Sequence, residues 1–153
     1  NPGEMALEKL SLQEIMDESL KNASDRINIH KIELEKKYPG EPLYVSADKN
    51  QLVIAFNNIL INAIEAMEQN NGKLSVTIAS TADRCQVSIR DNGRGIPNEY
   101  LSKLFDPFFT LKKGGMGLGL TTSYSIIQSH KGNMQVESVP EQGTNFIISF
   151  NAS

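Results

Sequence analysis

Tryptophan is absent from this chain, and cysteine occurs once, at position 85. A lone thiol excludes an internal disulfide and a cysteine-built metal cluster, and it suits a reducing compartment. Cys85 stands at the start of a predicted strand, where a small packing residue is the plain reading. Positive charge is not in surplus either. Lys and Arg number 15 against 18 Asp and Glu, a net charge of −3, which argues against nucleic-acid binding by electrostatics. No apolar run approaches the ~18 residues of a membrane span, and no signal peptide is legible. Repeats and low-complexity tracts are missing too. The first residue is Asn rather than Met, so a piece of something longer is expected. What is present, 153 residues at 39% hydrophobic, describes one ordinary globular domain with enough chain to bury a core.

Residues 1–10 read as a ragged lead-in from an upstream region and residues 11–153 as the domain. Ser11-Leu12-Gln13-Glu14 is a capping box opening a helix that turns Leu12, Ile15, Met16, Leu20 and Ala23 inward. Ile32 to Glu35 alternate as a strand, which Tyr38-Pro39-Gly40 breaks, and Leu43-Tyr44-Val45 forms another short one. Asp48 starts a long helix reaching about Gln69 and closed by Asn70-Asn71-Gly72. Leu74, Val76 and Ile78, then Val87 and Ile89, mark the two strands of a hairpin. Residues 97–116 carry no sustained period and contain Pro97, Pro107, Gly114 and Gly115, as a functional lid would. A helix from about Gly117 to His130 follows. Two strands finish the chain, one with Met134 and Val136 inward, the other with Thr144, Phe146, Ile148 and Phe150 inward. One-faced strands and about three amphipathic helices predict an α/β (α+β) two-layer sandwich. Its sheet is mixed but mostly antiparallel, with helices on one face and water on the other.

Polar residues that interrupt these patterns carry the chemistry. Asp91 falls in phase with Val87 and Ile89, so its carboxylate faces the apolar side, where a missing donor costs about 1–3 kcal/mol. Gly93 and Gly95 then let the backbone turn and leave space beside it. Asp91 is either the acceptor of a ligand pocket or the cap of an Asp-Asn-Gly turn. Asn58 and Asn62 lie one turn apart on a helix that is otherwise apolar nearly all round, with small Ala55 and Ala66 on the same stripe. Asn is a poor residue for a helix interior, so the pair binds something or is satisfied by backbone carbonyls. An Asn carbonyl oxygen also suits Mg²⁺. Gly114-Gly115-Met116-Gly117-Leu118-Gly119 leads into a helix whose first amides make an anion site, with Lys112 just upstream. Neither the P-loop nor the dinucleotide-fold glycine spacing is met. Lys113 reads as solvated. Phe105, Phe108 and Phe109 either pin the loop to the core or face a partner.

Taken in order, Asn58-x-x-x-Asn62-Ala63, Asp91-x-Gly93-x-Gly95, Phe105-x-Pro107-Phe108-Phe109-Thr110, Gly115-x-Gly117-x-Gly119 and Gly143-Thr144 follow the boxes of sensor histidine kinases. The chain resembles, over essentially its whole length, the catalytic ATP-binding domain of a two-component histidine kinase, in the superfamily shared with gyrase, Hsp90 and MutL. The resemblance implies an α/β sandwich with ATP and Mg²⁺ beneath a mobile lid. By motif, Asp91 accepts from the adenine amino group with Thr144 in support, and Gly93, Gly95, Ile96 and Thr110 line the nucleotide site. Asn62 ligates Mg²⁺ with Asn58 beside it. Lys112 and the backbone at Gly115, Gly117, Leu118 and Gly119 hold the phosphates. Phe105, Phe108 and Phe109 couple the lid to the partner domain.

The expected activity is a protein histidine kinase's phosphoryl donation to a histidine on a dimerisation domain, with a response regulator downstream. The fragment is expected to be a cytoplasmic monomer without direct membrane contact, from a homodimeric parent whose own anchoring is open. Asn58 stands where hydrolytic relatives usually carry a Glu base, so water attack should be slow. His30 precedes Lys31-Ile32 and His130 precedes Lys131-Gly132, not the acceptor context, so both read as surface or helix-end residues. Two rivals remain: an anti-sigma-type protein serine kinase, and a nucleotide-sensing module without catalysis.

Overall fold

A computed structural model describes residues 4–67, 71–106 and 118–153, with only the backbone of Leu118 and Gly119. Alternation builds its main sheet. Strands β4 (Lys73–Thr81) and β5 (Arg84–Asp91) form the expected hairpin, with every second residue buried from Leu74 to Ile78 in β4 and along the whole of β5. Strand β7 (Gly143–Asn151) pairs antiparallel with the other side of β5, and β6 (Asn133–Val139) pairs with β7. Strand β2 (Glu33–Lys37) lies parallel to β4 at the far edge. The order among the described residues is β2-β4-β5-β7-β6, so the strand ending in Asp91 is central.

The helices cover the face carrying Leu74, Val76, Ile89, Phe146 and Ile148, all essentially buried. Helix α1 (Leu12–Ile29) begins where the capping box places it, Ser11 Oγ accepting from the Glu14 amide at 3.3 Å. Helix α2 (Lys49–Ala66) is opened by Asp48, whose Oδ1 accepts from the Gln51 amide at 3.2 Å. It packs against α1 on one side, α4 (Leu118–Ser129) on the other, and the sheet beneath. That triple burial explains a helix apolar nearly all round. Leu52, Phe56, Ile59 and Leu60 are fully buried within it, each contributing about 1.5–3 kcal/mol.

Three expectations need correction. The lead-in is not ragged up to residue 10: β1 (Glu8–Ser11) pairs antiparallel with β3 (Tyr44–Ala47), because Leu10 and Val45 give the two segments apolar partners to share. Helix α2 stops at Ala66, short of Gln69, because the Ala66 carbonyl is diverted to the Arg94 amide at 3.1 Å. The stretch from 97 to 106 is not unstructured. It contains the short helix α3 (Asn98–Leu101), then buries Leu104 and stacks Phe105 on Tyr124 with ring centroids 4.7 Å apart.

Candidate functional site

At the end of β5, Asp91 is only 4% exposed, on the helix side of the sheet as its phase predicts. Its Oδ1 accepts from the Gly93 amide at 2.8 Å, which is the turn cap of the two expected readings. Burial pushes the carboxyl up from its ordinary 3.8 to about 6, against the pull of the Gly93 and Thr144 amides and the Arg94 charge. A buried carboxylate that has only partly recovered its lost water is under-supplied with donors.

The loop after Asp91 is locked to α2 by its backbone. A Cβ on Gly93 would stand 2.3 Å from the Ala66 carbonyl oxygen, so only glycine permits this approach. Gly95 has φ +72° and would strike the Val139 carbonyl oxygen at 2.3 Å, so its glycine is set by conformation and space together. Arg94 clasps the helix end through Nη1, which donates to the Glu65 carbonyl at 3.2 Å. Ile96 is buried and its amide donates to Ser138 Oγ at 2.7 Å.

Ser138 was not anticipated. Its hydroxyl donates to the Gly143 carbonyl at 3.0 Å, and it lies 2.9 Å from Thr144 Oγ1. A hydroxyl has one proton, so Thr144 must donate to Ser138 here, leaving the Thr144 oxygen with acceptor lone pairs. Thr144 stands opposite Asp91 in the ladder and is 5% exposed. The missed signal was in the sequence: Ser138 follows Met134 and Val136 in phase, a polar interruption of the kind that singled out Asp91 and Thr144.

Along α2, the Asn62 Nδ2 donates to the Asn58 carbonyl at 2.7 Å. A carbonyl only accepts, so this bond fixes the amide's orientation and turns its Oδ1 away from the helix backbone. Among the described residues that Oδ1 has no hydrogen-bond partner. A hard cation that prefers oxygen ligands fits such an end. Both asparagines are half-buried. The room expected beside Ala55 is filled by the chain itself: Ser123 of α4, fully buried, donates its hydroxyl to the Ala55 carbonyl at 2.9 Å. Gly93 takes the space at Ala66.

The structure therefore brings together Asp91, Gly93, Gly95, Ile96 and Thr144, with Asn58 and Asn62 along the adjacent helix. Leu118 and Gly119 are the first residues of α4. Thr110, Lys112, Gly115 and Gly117, with Phe108 and Phe109, lie outside the described residues. Phe105 takes the pinning role, half-buried against Tyr124, with Thr121 Oγ1 donating to the Asp106 carbonyl at 3.1 Å. His30 caps α1 in solvent. His130 is a helix-end residue but buried, its Nε2 accepting from the Asp48 amide at 3.1 Å and its Nδ1 lying 2.8 Å from the Ile126 carbonyl. Cys85 is a buried packing residue, as expected, with its thiol pushed up by burial.

Residues 47–153 match the model of the histidine kinase-, DNA gyrase B-, and HSP90-like ATPase family. Sporulation kinase A of Bacillus subtilis (strain 168) is 35% identical over 143 residues, 94% of this chain. The chain spans 23% of that protein's length. The nucleotide-free catalytic domain of histidine kinase ThkA superposes with a TM-score of 0.86 at 31% identity, covering 96% of both chains. A structure of ThkA in complex with the response regulator protein TrrA matches at 28% identity and a TM-score of 0.81, over 96% of this chain and 42% of that one.

Proposed function

The chain belongs to the histidine kinase-, DNA gyrase B- and HSP90-like ATPase family, as its ATP-binding domain of the sensor histidine kinase kind, and we propose that it presents ATP and Mg²⁺ for phosphoryl transfer to a histidine on a separate dimerisation domain. The observation that carries this reading is Asp91: a nearly buried carboxylate at the end of the central strand, raised to about 6 and still short of donors. An adenine amino group is such a donor, and it would meet the carboxylate with the Thr144 oxygen at hand to accept as well. Gly93, Gly95 and Ile96 hold that end of the pocket rigid through their ties to α2 and to Ser138.

Asn62 would hold the metal through Oδ1, its amide already oriented by the Asn58 carbonyl. Mg²⁺ supplies charge neutralisation between phosphates when bound. Asn58 cannot take a proton from water at ordinary pH, so the residues here position a phosphate chain without activating a hydrolytic water. Positioning and charge stabilisation are the main protein contributions to phosphoryl transfer. Thr110, Lys112 and the glycines at 115, 117 and 119 are proposed to close over the phosphates. Phe108 and Phe109 would then meet the partner domain, and a response regulator would receive the phosphoryl group downstream.

The test mixes the chain with a cognate dimerisation-domain fragment, ATP and Mg²⁺, and follows phosphate chemistry. Acid-labile label on the fragment's histidine is expected, with little ATP hydrolysis by the chain alone. Acid-stable serine phosphate on another partner would transfer the assignment to the anti-sigma type. Nucleotide binding without any transfer would leave a sensing module.

A further inference from the structure

Three adjacent strands share one polar row on the dry face of the sheet. Asp91 of β5 stands opposite Thr144 of β7, and Thr144 stands opposite Ser138 of β6. Side chains directly opposite in antiparallel strands are neighbours, so these groups set one another's hydrogen bonds. Ser138 Oγ accepts from the Ile96 amide at 2.7 Å and donates to the Gly143 carbonyl at 3.0 Å. An amide N–H only donates and a carbonyl only accepts, so neither bond can be reversed. The contact to Thr144 Oγ1 at 2.9 Å therefore brings the Thr144 proton to the lone pair that Ser138 has left. All three hydrogen-bonding positions of the Ser138 hydroxyl are then filled, two of them by backbone.

Thr144 Oγ1, having given up its proton, faces the pocket with lone pairs only. The ionised Asp91 is likewise acceptor-only, with the Gly93 and Thr144 amides already on its carboxyl. Two acceptors side by side in a nearly buried wall reward a ligand edge that donates. They penalise an edge that accepts, because both sides of that contact would stay unpaired.

We infer that Ser138 is a specificity-determining residue of the nucleotide site: by holding Thr144 as an acceptor, it makes the pocket select a purine bearing an amino group over one bearing an oxo group in the same place. This rests on the adenine reading of Asp91. Ser138 acts through Thr144 and is a positioning residue. Without its hydroxyl, the Thr144 proton is free to turn towards an oxo group, and part of the discrimination is lost.

The experiment titrates the full chain calorimetrically, in Mg²⁺, with the non-hydrolysable imido analogues of ATP and of inosine triphosphate. At mildly alkaline pH, where Asp91 is ionised, the readout is the ratio of the two affinities. The parent should favour the ATP analogue. Ser138→Ala should narrow the ratio by roughly tenfold, about one hydrogen bond's worth, through tighter binding of the inosine analogue relative to ATP's. Ser138→Thr keeps the hydroxyl and should keep the ratio. Thr144→Val should narrow it by weakening the ATP analogue, and adding Ser138→Ala to that variant should change the ratio no further. Damaged packing alone would weaken both nucleotides together and leave the ratio where it was. Should Ser138→Ala not fold, Ser138→Cys, near in size but weak as donor and acceptor, takes its place with the same expected direction. The inference is overturned, with the nucleotide reading intact, by a ratio unchanged in the Ser138 variant or in Thr144→Val, or by a Ser138 effect that persists on the Thr144→Val background. A parent that binds both analogues alike overturns it too. A parent that binds neither overturns the nucleotide reading itself.

Discussion

Asp91 is costly to the free chain, and the cost has a sign. Its carboxyl titrates near 3.8 when unfolded and near 6 in the fold, so between those values the folded state holds more protons. Stability therefore falls as pH rises through that window, by about 3 kcal/mol in all at ~1.4 kcal/mol per pH unit. Asp91→Asn should flatten this dependence and stabilise the chain above pH 7 by about 1–3 kcal/mol, read from urea midpoints at acid and mildly alkaline pH. The same variant should lose ATP-analogue affinity, because the amide cannot serve as the full acceptor. A variant that binds as well as the parent would sink the adenine assignment. In the parent, affinity should weaken by up to about tenfold per pH unit below 6, as a proton occupies the acceptor. Asn62→Ala addresses the metal: analogue affinity in Mg²⁺ should fall by roughly tenfold, with little change in EDTA. Equal losses in both would assign Asn62 to the nucleotide or the helix instead.

Among elements, α2 is where everything meets. Its start is joined to the end of α4 through His130, which accepts from the Asp48 amide and must carry its proton on Nδ1 for the Ile126 carbonyl. Both bonds are made only by the neutral ring. His130→Ala leaves the Asp48 amide without its acceptor, while the Ile126 carbonyl keeps the His130 amide and Ser129 Oγ as donors, and should cost about 1–3 kcal/mol in chemical unfolding. A cost near zero would mean that water replaces the ring. The other end of α2 meets the loop after β5 backbone to backbone, which ties the asparagine stripe to the Asp91 turn.

For the whole molecule, the small β1–β3 sheet extends the fold past its expected start. The Ala6 amide also donates to Asp48 Oδ2 at 3.0 Å, one of the bonds that hold that carboxyl below its usual range. A chain begun at Ser11 should lose about 1–3 kcal/mol and unfold at lower urea. An unchanged midpoint would make β1 ornamental.

Periodicity was enough to specify the strands of the main sheet and the three long helices, though not β1 or α3, together with the dry face of each of those strands and the polar intruders Asp91 and Thr144, because burial penalises an unpaired polar group wherever a pattern repeats. The capping signals at Ser11 and Asp48 were legible for the same local reason. Only the folded chain could decide what lay next to what. That Ala55 opens on Ser123 and not on a ligand, that Ser138 braces Thr144, and that Asn145 crosses the sheet between Arg90 and Glu137 depend on contacts between residues far apart in sequence. Such contacts follow from how layers stack and strands register, and no local pattern carries that information.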